Sequence, residues 1–395
     1  MDIILDNEYR KRKKEKIPDK YGGNSAMINV TRSDLPPLEK FTQYLEKIWE
    51  TRWLTNDGEF VQLLEKKLSD YLEVKNLILL SNGTIAMQLA LKALDIKGEV
   101  ITTPFTFSAT TNVILWENCS PVFVDIDSET FNLKPGDIER SITDKTSAIL
   151  AVHVYGNPCY VEELQNIASE YNLKLIYDAA HCFGVQYNGQ SVLNYGDIST
   201  MSFHATKLYH SIEGGAAITE DDELAEKLKL IRNFGIVSEE KVVLPGVNAK
   251  MNEFQAAMGL CNLENIDERI LKRQQIYEHY QEKLADIPGI SFQKIIASRY
   301  NYIYMPVCFE NNQIRNKIYS ELINKHNIKT RKYFYPLTAD FDYFLDSKNN
   351  YKVNKNKLNI AHSVSDRILC LPLYTDLSTD TVDIIVGMIK EIVSK

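Results

Sequence analysis

The chain has 395 residues, 44% of them hydrophobic and 25% charged, enough for one large folded unit and a smaller one. Its formal net charge of −8 argues against an overall attraction to nucleic acid or to an anionic membrane. Six cysteines without close pairs suggest neither a zinc site nor a disulfide framework, and no apolar run approaches the roughly 18 residues of a membrane span. The N-terminus lacks the apolar core of a signal peptide, so the expected protein is cytoplasmic, with no metal, membrane or nucleic-acid partner.

Residues 1–26 combine a basic run, "YRKRKKEKIPDK", with the loop-like "YGGNSAM", and are expected to be a flexible extension. A tether for nucleic acid or acidic lipid is the competing reading of that run. From Met27 the pattern is that of folded protein. Helical spacing runs from Leu38 to Trp49 and from Glu59 to Leu72, joined by "RWLTNDG", whose Asn56, Asp57 and Gly58 read as a turn. Short β-branched runs follow: "NLILLS", "GEVITTP", "PVFVDID", "SAILAVHVY", "LKLIYDAA" and "DISTMSF". They alternate with helix-like stretches such as "TIAMQLALKAL" and "YVEELQNIASEY", which predicts an α/β fold with a mostly parallel sheet covered on both faces. A polar helical stretch beginning at Glu264 leads to a smaller α+β unit containing "YNYIYMPVCF", a helix from about Gln313, and "RILCLPLY". The expected organisation is therefore 1–26 extension, 27–264 large domain and 265–395 small domain.

Ligands of such sheets sit beyond the carboxyl ends of the strands, so the residues just after each run are the candidates. In "LLSNGTIAMQLAL", Ser81, Gly83 and Thr84 stand at a helix start, where free N–H groups suit a phosphate; plain helix capping is the alternative. In "ITTPFTFSATTN", Phe105 and Phe107 could stack on a planar ring or belong to the core. In "LKLIYDAAHCFG", Asp178 ends a hydrophobic strand and His181 follows it; a carboxylate there needs a cationic or hydrogen-bonding partner. Lys207 comes 29 positions after Asp178 in "SFHATKLYHSIEGGAAIT". A lone lysine usually reaches for solvent, whereas a desolvated one can form a Schiff base. The four features together match the requirements of pyridoxal phosphate: a phosphate cradle, a stacking ring, an acidic partner for the ring nitrogen and an amine.

Nine stretches, in order, resemble the DegT/DnrJ/EryC1/StrS family of pyridoxal-phosphate-dependent sugar aminotransferases: "SNGTIAMQLAL", "TPFTFSATTN", "VFVDID", "VHVYGNP", "DAAHCFG", "SFHATK…EGGA", "NAKMNEFQAAMGL", "TRKYFYPL" and "LCLPLY". The resemblance implies a fold-type I aminotransferase, with a mostly parallel seven-stranded sheet between helices and a smaller C-terminal α+β domain. It makes Lys207, Asp178 and His181 the catalytic set, with Lys207 as the Schiff-base lysine, Asp178 as the partner of the pyridine nitrogen and His181 near the phenolic oxygen. Phe107 would stack on the cofactor, and Gly83, Thr84 and Ser202 would hold its phosphate. The implied assembly is a homodimer with shared active sites, in which Asn248 reaches the partner's phosphate. Thr55 and Asn56 of the "WLTNDGEF" loop, with Arg331, Tyr333 and Tyr335, would lie near the nucleotide sugar.

The implied chemistry passes an amino group from L-glutamate, by way of pyridoxamine 5'-phosphate, to a nucleotide-linked ketosugar. "FHATK" with "EGGA" resembles the branch that aminates C-4, so the expected reaction converts dTDP-4-keto-6-deoxy-D-glucose to dTDP-4-amino-4,6-dideoxy-D-glucose for O-antigen or another surface polysaccharide. C-3 amination, a UDP- or GDP-linked 4-ketosugar, and a cofactor-binding regulator without catalysis are the alternatives. A dehydratase with histidine in place of the lysine is a further one, against which Lys207 argues. Three departures from the family pattern are Lys250, Ala205 and "LYHSI" after the lysine; the last two put substrate contacts in question.

Overall fold

β-branched and leucine-rich runs too short for a helix become the strands of one central sheet in the computed structural model, which describes residues 27–345 and 358–394. The basic run within 1–26 lies outside the described residues. Helices α1 (Leu38–Thr51) and α2 (Glu59–Leu72) lead into β1 (Asn76–Leu80), α3 (Gly83–Ala93), β2 (Glu99–Thr102), α4 (Ser108–Trp116) and β3 (Ser120–Phe123). Next come β4 (Thr146–Val152), α5 (Val161–Glu170), β5 (Lys174–Asp178), β6 (Ile198–Ser202), β7 (Gly215–Thr219), α6 (Asp222–Arg232) and α7 (Glu253–Leu263). The strands lie in the order β1-β7-β6-β5-β4-β2-β3, parallel throughout except for the two antiparallel pairings of β7.

The strands bury both faces, so their side chains divide by alternation between two cores. Leu77 and Leu79 of β1 pack with Leu64 and Leu68 of α2, Leu164 of α5 and Leu260 of α7. Ile78 and Leu80 turn the other way, toward Met87 and Ala90 of α3, Ile114 of α4 and Leu228 of α6. The sequence runs thus locate six of the seven strands. The seventh, β7, is "GAAIT", whose small residues carry little strand signal. Their smallness has a packing cause: a Cβ on Gly215 would lie 2.6 Å from the carbonyl carbon of Asn82 and 2.7 Å from the nitrogen of Gly83. Only glycine lets the β1–α3 turn settle onto β7.

A third apolar cluster gathers around α8 (Ile266–Leu284) and a three-stranded antiparallel sheet of β8 (Ser291–Phe292), β9 (Met305–Cys308) and β10 (Ile368–Leu371). Helices α9 (Asn312–His326), α10 (Asn359–Arg367) and α11 (Thr379–Val393) complete the chain. Helix α8, which reads as polar from its sequence, buries one face through Ile276, Tyr277, Tyr280 and Leu284. Its Arg273 is fully enclosed and donates to the carbonyls of Tyr302 (3.3 Å), Ile303 (3.1 Å) and Leu373 (3.1 Å). Among the described residues, no helix is long and apolar enough to cross a membrane, and no cluster of His, Cys, Asp and Glu could hold a metal ion. All six cysteines are buried and free.

Replacing Arg273 by methionine should fill the space but strand three buried carbonyls. The expected loss of stability is about 3 kcal/mol, read from denaturant unfolding.

Candidate active site

The site begins with the turn from β1 into α3. Asn82 caps the helix by accepting the N–H of Ile85 at 2.9 Å, which leaves the N–H groups of the first turn directed outward. One capped N–H does not use up the first turn, so capping is compatible with a helix start open to an anion. Gly83 lies against Ser202 at the end of β6: a Cβ at position 83 would come within 2.7 Å of the Ser202 Cβ and 3.0 Å of its Cα. Glycine allows the helix start and the serine hydroxyl to stand side by side.

Asp178 ends β5 and is buried. Its carboxylate accepts the Thr110 hydroxyl (2.7 Å) and the Ala180 N–H (3.1 Å), while Thr110 is itself 2.7 Å from the Thr106 hydroxyl. Burial pushes the Asp178 carboxyl up from its ordinary pKa despite these hydrogen bonds and the nearby Lys207. His181, three residues on, is also buried, and its pKa falls well below the usual imidazole value because the charged form is desolvated. Its ring lies parallel to Phe334 at 6.4 Å and edge-on to Tyr304 at 5.0 Å.

Lys207 sits in the turn after β6, with its N–H donated to the His204 carbonyl at 2.8 Å. The residue is half-buried, and its open side faces a cavity of about 680 Å³. Burial lowers the ammonium pKa to about 8; Asp178 opposes the shift and Arg331 adds to it. Gly83, Thr84, Phe107, Asp178, His181 and Ser202 line the same cavity, and Arg331 and Tyr333 close another side. Phe105 is instead fully buried in the core, edge-on to Tyr155 and Phe334.

Four of the expected site residues are not on this cavity wall. Thr55 and Asn56 are exposed on the loop between α1 and α2. Asn248 is exposed and pairs by a single bridge with Asn233, and Tyr335 is exposed with the Arg315 guanidinium 5.0 Å from its ring. The loop is braced from behind by Glu253, a buried residue that gave no functional signal in sequence. Its carboxylate accepts the N–H groups of Phe60 (2.9 Å) and Val61 (3.0 Å), and its own N–H donates to the Leu54 carbonyl (3.0 Å). Thr110 was also overlooked, although the hydroxyl-rich "SATTN" one helical turn beyond Phe107 is a signal for it.

The departures after the lysine point inward. Leu208, Tyr209, His210 and Ser211 are buried, with Tyr209 stacked on Phe183 at 4.3 Å and the His210 carbonyl accepting Asn262 at 2.9 Å. The Ala205 carbonyl accepts the Ser33 hydroxyl at 2.6 Å. Of "LYHSI", the first four residues fill the core and Ile212 is exposed, and His204, Thr206 and Lys207 are the residues of this turn that face the cavity. Lys250 donates to Asn233 at 2.9 Å and lies 5.0 Å from the Phe234 ring.

Parallel strands that deliver an amine, a carboxylate and a glycine-lined helix start to one cavity define an α/β enzyme with its site at the strand ends. The chain belongs to the DegT/DnrJ/EryC1/StrS aminotransferase family, whose profile matches residues 38–390. It is 45% identical over 365 residues to the dTDP-4-amino-4,6-dideoxy-D-glucose transaminase of Escherichia coli, covering 91% of this chain and 97% of that protein. The Shigella dysenteriae enzyme of the same name is 44% identical over 372 residues, 92% and 99% of the two chains. Among solved structures, DesI, determined in the presence of its TDP-sugar product, superposes with a TM-score of 0.87 at 30% identity, over 94% of each chain.

The lowered pKa of Lys207 is open to test on cofactor-free protein, because only the neutral amine is nucleophilic. Labelling with an amine-directed reagent, mapped by mass spectrometry, should rise with pH to half its maximum near pH 8, against about 10.5 for an ordinary lysine. Asp178→Asn removes the charge that favours the ammonium, so it should move the midpoint lower still.

Proposed function

We propose that this chain transfers the amino group of L-glutamate to C-4 of dTDP-4-keto-6-deoxy-D-glucose, forming dTDP-4-amino-4,6-dideoxy-D-glucose, with pyridoxal 5'-phosphate as its cofactor. The observation that carries the reading is that Lys207, buried Asp178 and the α3 helix start line one cavity. The sugar assignment draws its support from the 45% and 44% identity to two transaminases of that name.

The residues suit the cofactor. Gly83, Thr84 and Ser202 offer N–H and hydroxyl donors to its phosphate, and Phe107 offers a ring at the cavity wall. Asp178, a buried carboxylate with a raised pKa, gains a counter-ion if the ring nitrogen carries a proton. Bound there, the cofactor would supply an aldehyde for an amine and a ring that withdraws electrons from a deprotonated carbon. Lys207 then serves as the base and acid that moves the proton; its pKa near 8 suits both roles at neutral pH. His181, held neutral by burial, is placed to offer a hydrogen bond rather than a charge.

The reading includes a homodimer with shared sites. Phe234, Ile236, Val237, Val242, Val243 and Val247 form an exposed apolar hairpin, and Asn248 stands at its base. Burying that hairpin against a second subunit would carry Asn248 toward the neighbouring site. The large domain is taken as 27–264 and the small one as 265–395; the later turns of α8 pack in a cluster of the smaller unit, while Ile266 and Ile270 at its start join the large core. Free cysteines support a cytoplasmic setting, and the product is assigned to O-antigen or another surface polysaccharide.

The deciding experiment is an absorbance spectrum of the holoenzyme before and after L-glutamate, then after the ketosugar. L-Glutamate should bleach the visible band and the ketosugar should restore it with release of aminosugar; a band indifferent to L-glutamate would refute the transaminase. Lys207→Ala should abolish turnover, as measured by aminosugar formation, and comparable turnover would remove Lys207 from its role.

A further inference from the structure

His181 meets the cavity from a turn whose backbone is held by a distant part of the chain. No hydrogen bond to either of its ring nitrogens is found among the described residues, so packing and the backbone alone set the ring. The packing comes from Tyr304, edge-on at 5.0 Å, and from Phe334, parallel at 6.4 Å. The backbone is held by Asn301, which is fully buried: its side-chain amide donates to the His181 carbonyl (2.8 Å) and to the Phe183 carbonyl (3.0 Å). One side chain thus grips the peptide on both sides of Cys182. The fit around it is close, since a Cβ on Gly156 would lie 2.7 Å from the His181 carbonyl oxygen and 3.2 Å from Asn301 Oδ1. Tyr300, beside Asn301, ties the same segment to the large core by donating its hydroxyl to the Tyr155 carbonyl at 2.8 Å. Asn301 Oδ1 has no hydrogen-bond partner, so the clamp is kept although half of a buried amide goes unsatisfied.

Burial holds His181 neutral, so what it can offer a ligand is one directional hydrogen bond. Such a bond weakens steeply as its angle closes, which makes the placing of the ring decisive. We propose that Asn301 is the positioning residue for His181, setting the imidazole at the angle from which it hydrogen-bonds the phenolic oxygen of the cofactor. Asn301 is not on the cavity wall and acts through the His181 main chain. It stands between α8 and β9, so a residue that follows the large sheet by a hundred positions of chain sets a group at the end of β5. The proposal rests on the cofactor reading given above.

The test is a pH titration of the visible absorbance band of the holoenzyme, which needs bound cofactor but no turnover. A donor withdrawn from the phenolic oxygen leaves more negative charge there, and the proton that the band reports is held more tightly. Asn301→Ala should therefore raise the midpoint by about half a pH unit or more. The substitution is neutral, so the titratable groups around His181 on the cavity wall, Asp178, His204, Lys207, Glu213, Arg331 and Tyr333, are the same in both proteins. His181→Phe, which keeps a ring between Tyr304 and Phe334 but removes the donor, should raise the midpoint further, and adding Asn301→Ala to it should change nothing more. A wild-type midpoint in Asn301→Ala overturns the proposal. A shift of equal size with and without the His181 imidazole overturns it too, since Asn301 would then act by another route. Should the alanine variant fail to fold, Asn301→Ser, which keeps one donor, carries the test: a smaller rise that vanishes in the His181→Phe background supports the proposal, and a wild-type midpoint refutes it. Failure of the transaminase reading shows separately, as a wild-type band that ignores L-glutamate while the midpoints remain measurable.

Discussion

Removal of the Lys207 amine from water is the constraint around which the site is arranged. An ammonium at a surface would stay protonated far above neutral pH, whereas here burial brings its pKa to about 8. The protein balances the two directions in which such a group can be pushed. Asp178 restrains the fall and Arg331 extends it, so the amine remains close to the point where it can both take and give a proton. Asp178 is held in turn by Thr110, and Thr110 by Thr106, so the electrostatic setting of one amine depends on hydroxyls from a different segment.

The sheet makes this arrangement possible through close approach at its centre. Strand β7 runs against the others and carries glycine and alanine where β1 beside it carries leucine and isoleucine. That thinness brings the β1–α3 turn down to β7 and sets Gly83 against Ser202. Backbone N–H groups and a serine hydroxyl come to one spot because side chains are missing there, not because they are large.

How much of this was readable from the sequence follows from the range of each interaction. Strands β1 to β6 announced themselves because burial on both faces demands continuous apolar runs. Gly83, Asp178 and Lys207 stood out because they lie at or shortly after the ends of such runs, where an α/β sheet exposes its strand ends, whereas Ser202 entered only through the family resemblance. Strand β7 was not, since its composition answers to a neighbour more than a hundred residues earlier in the chain. Glu253 and Arg273 were equally hidden: the first meets Phe60 and Val61, the second meets carbonyls of Tyr302, Ile303 and Leu373, and no local spacing encodes either meeting. The inward turn of Leu208, Tyr209, His210 and Ser211 was equally illegible, because adjacency to Lys207 in sequence does not tell which side chains turn into the core.

Arg232 has a place in this network that bears on how the enzyme could change. Its guanidinium donates to Glu65 (2.8 Å) and to the Leu79 carbonyl (3.2 Å) and reaches Asp57 at 3.5 Å, while Glu65 accepts the Leu79 N–H at 2.9 Å. The same brace therefore grips the α1–α2 loop and the strand that delivers Gly83. A Cβ on Gly58 would press to 2.5 Å from the Glu253 carboxyl carbon, so the far end of the loop is pinned as well. A substitution at Asp57 or Arg232 would therefore be felt in two places at once, in the loop between α1 and α2 and at the end of β1, beside the helix start at Gly83.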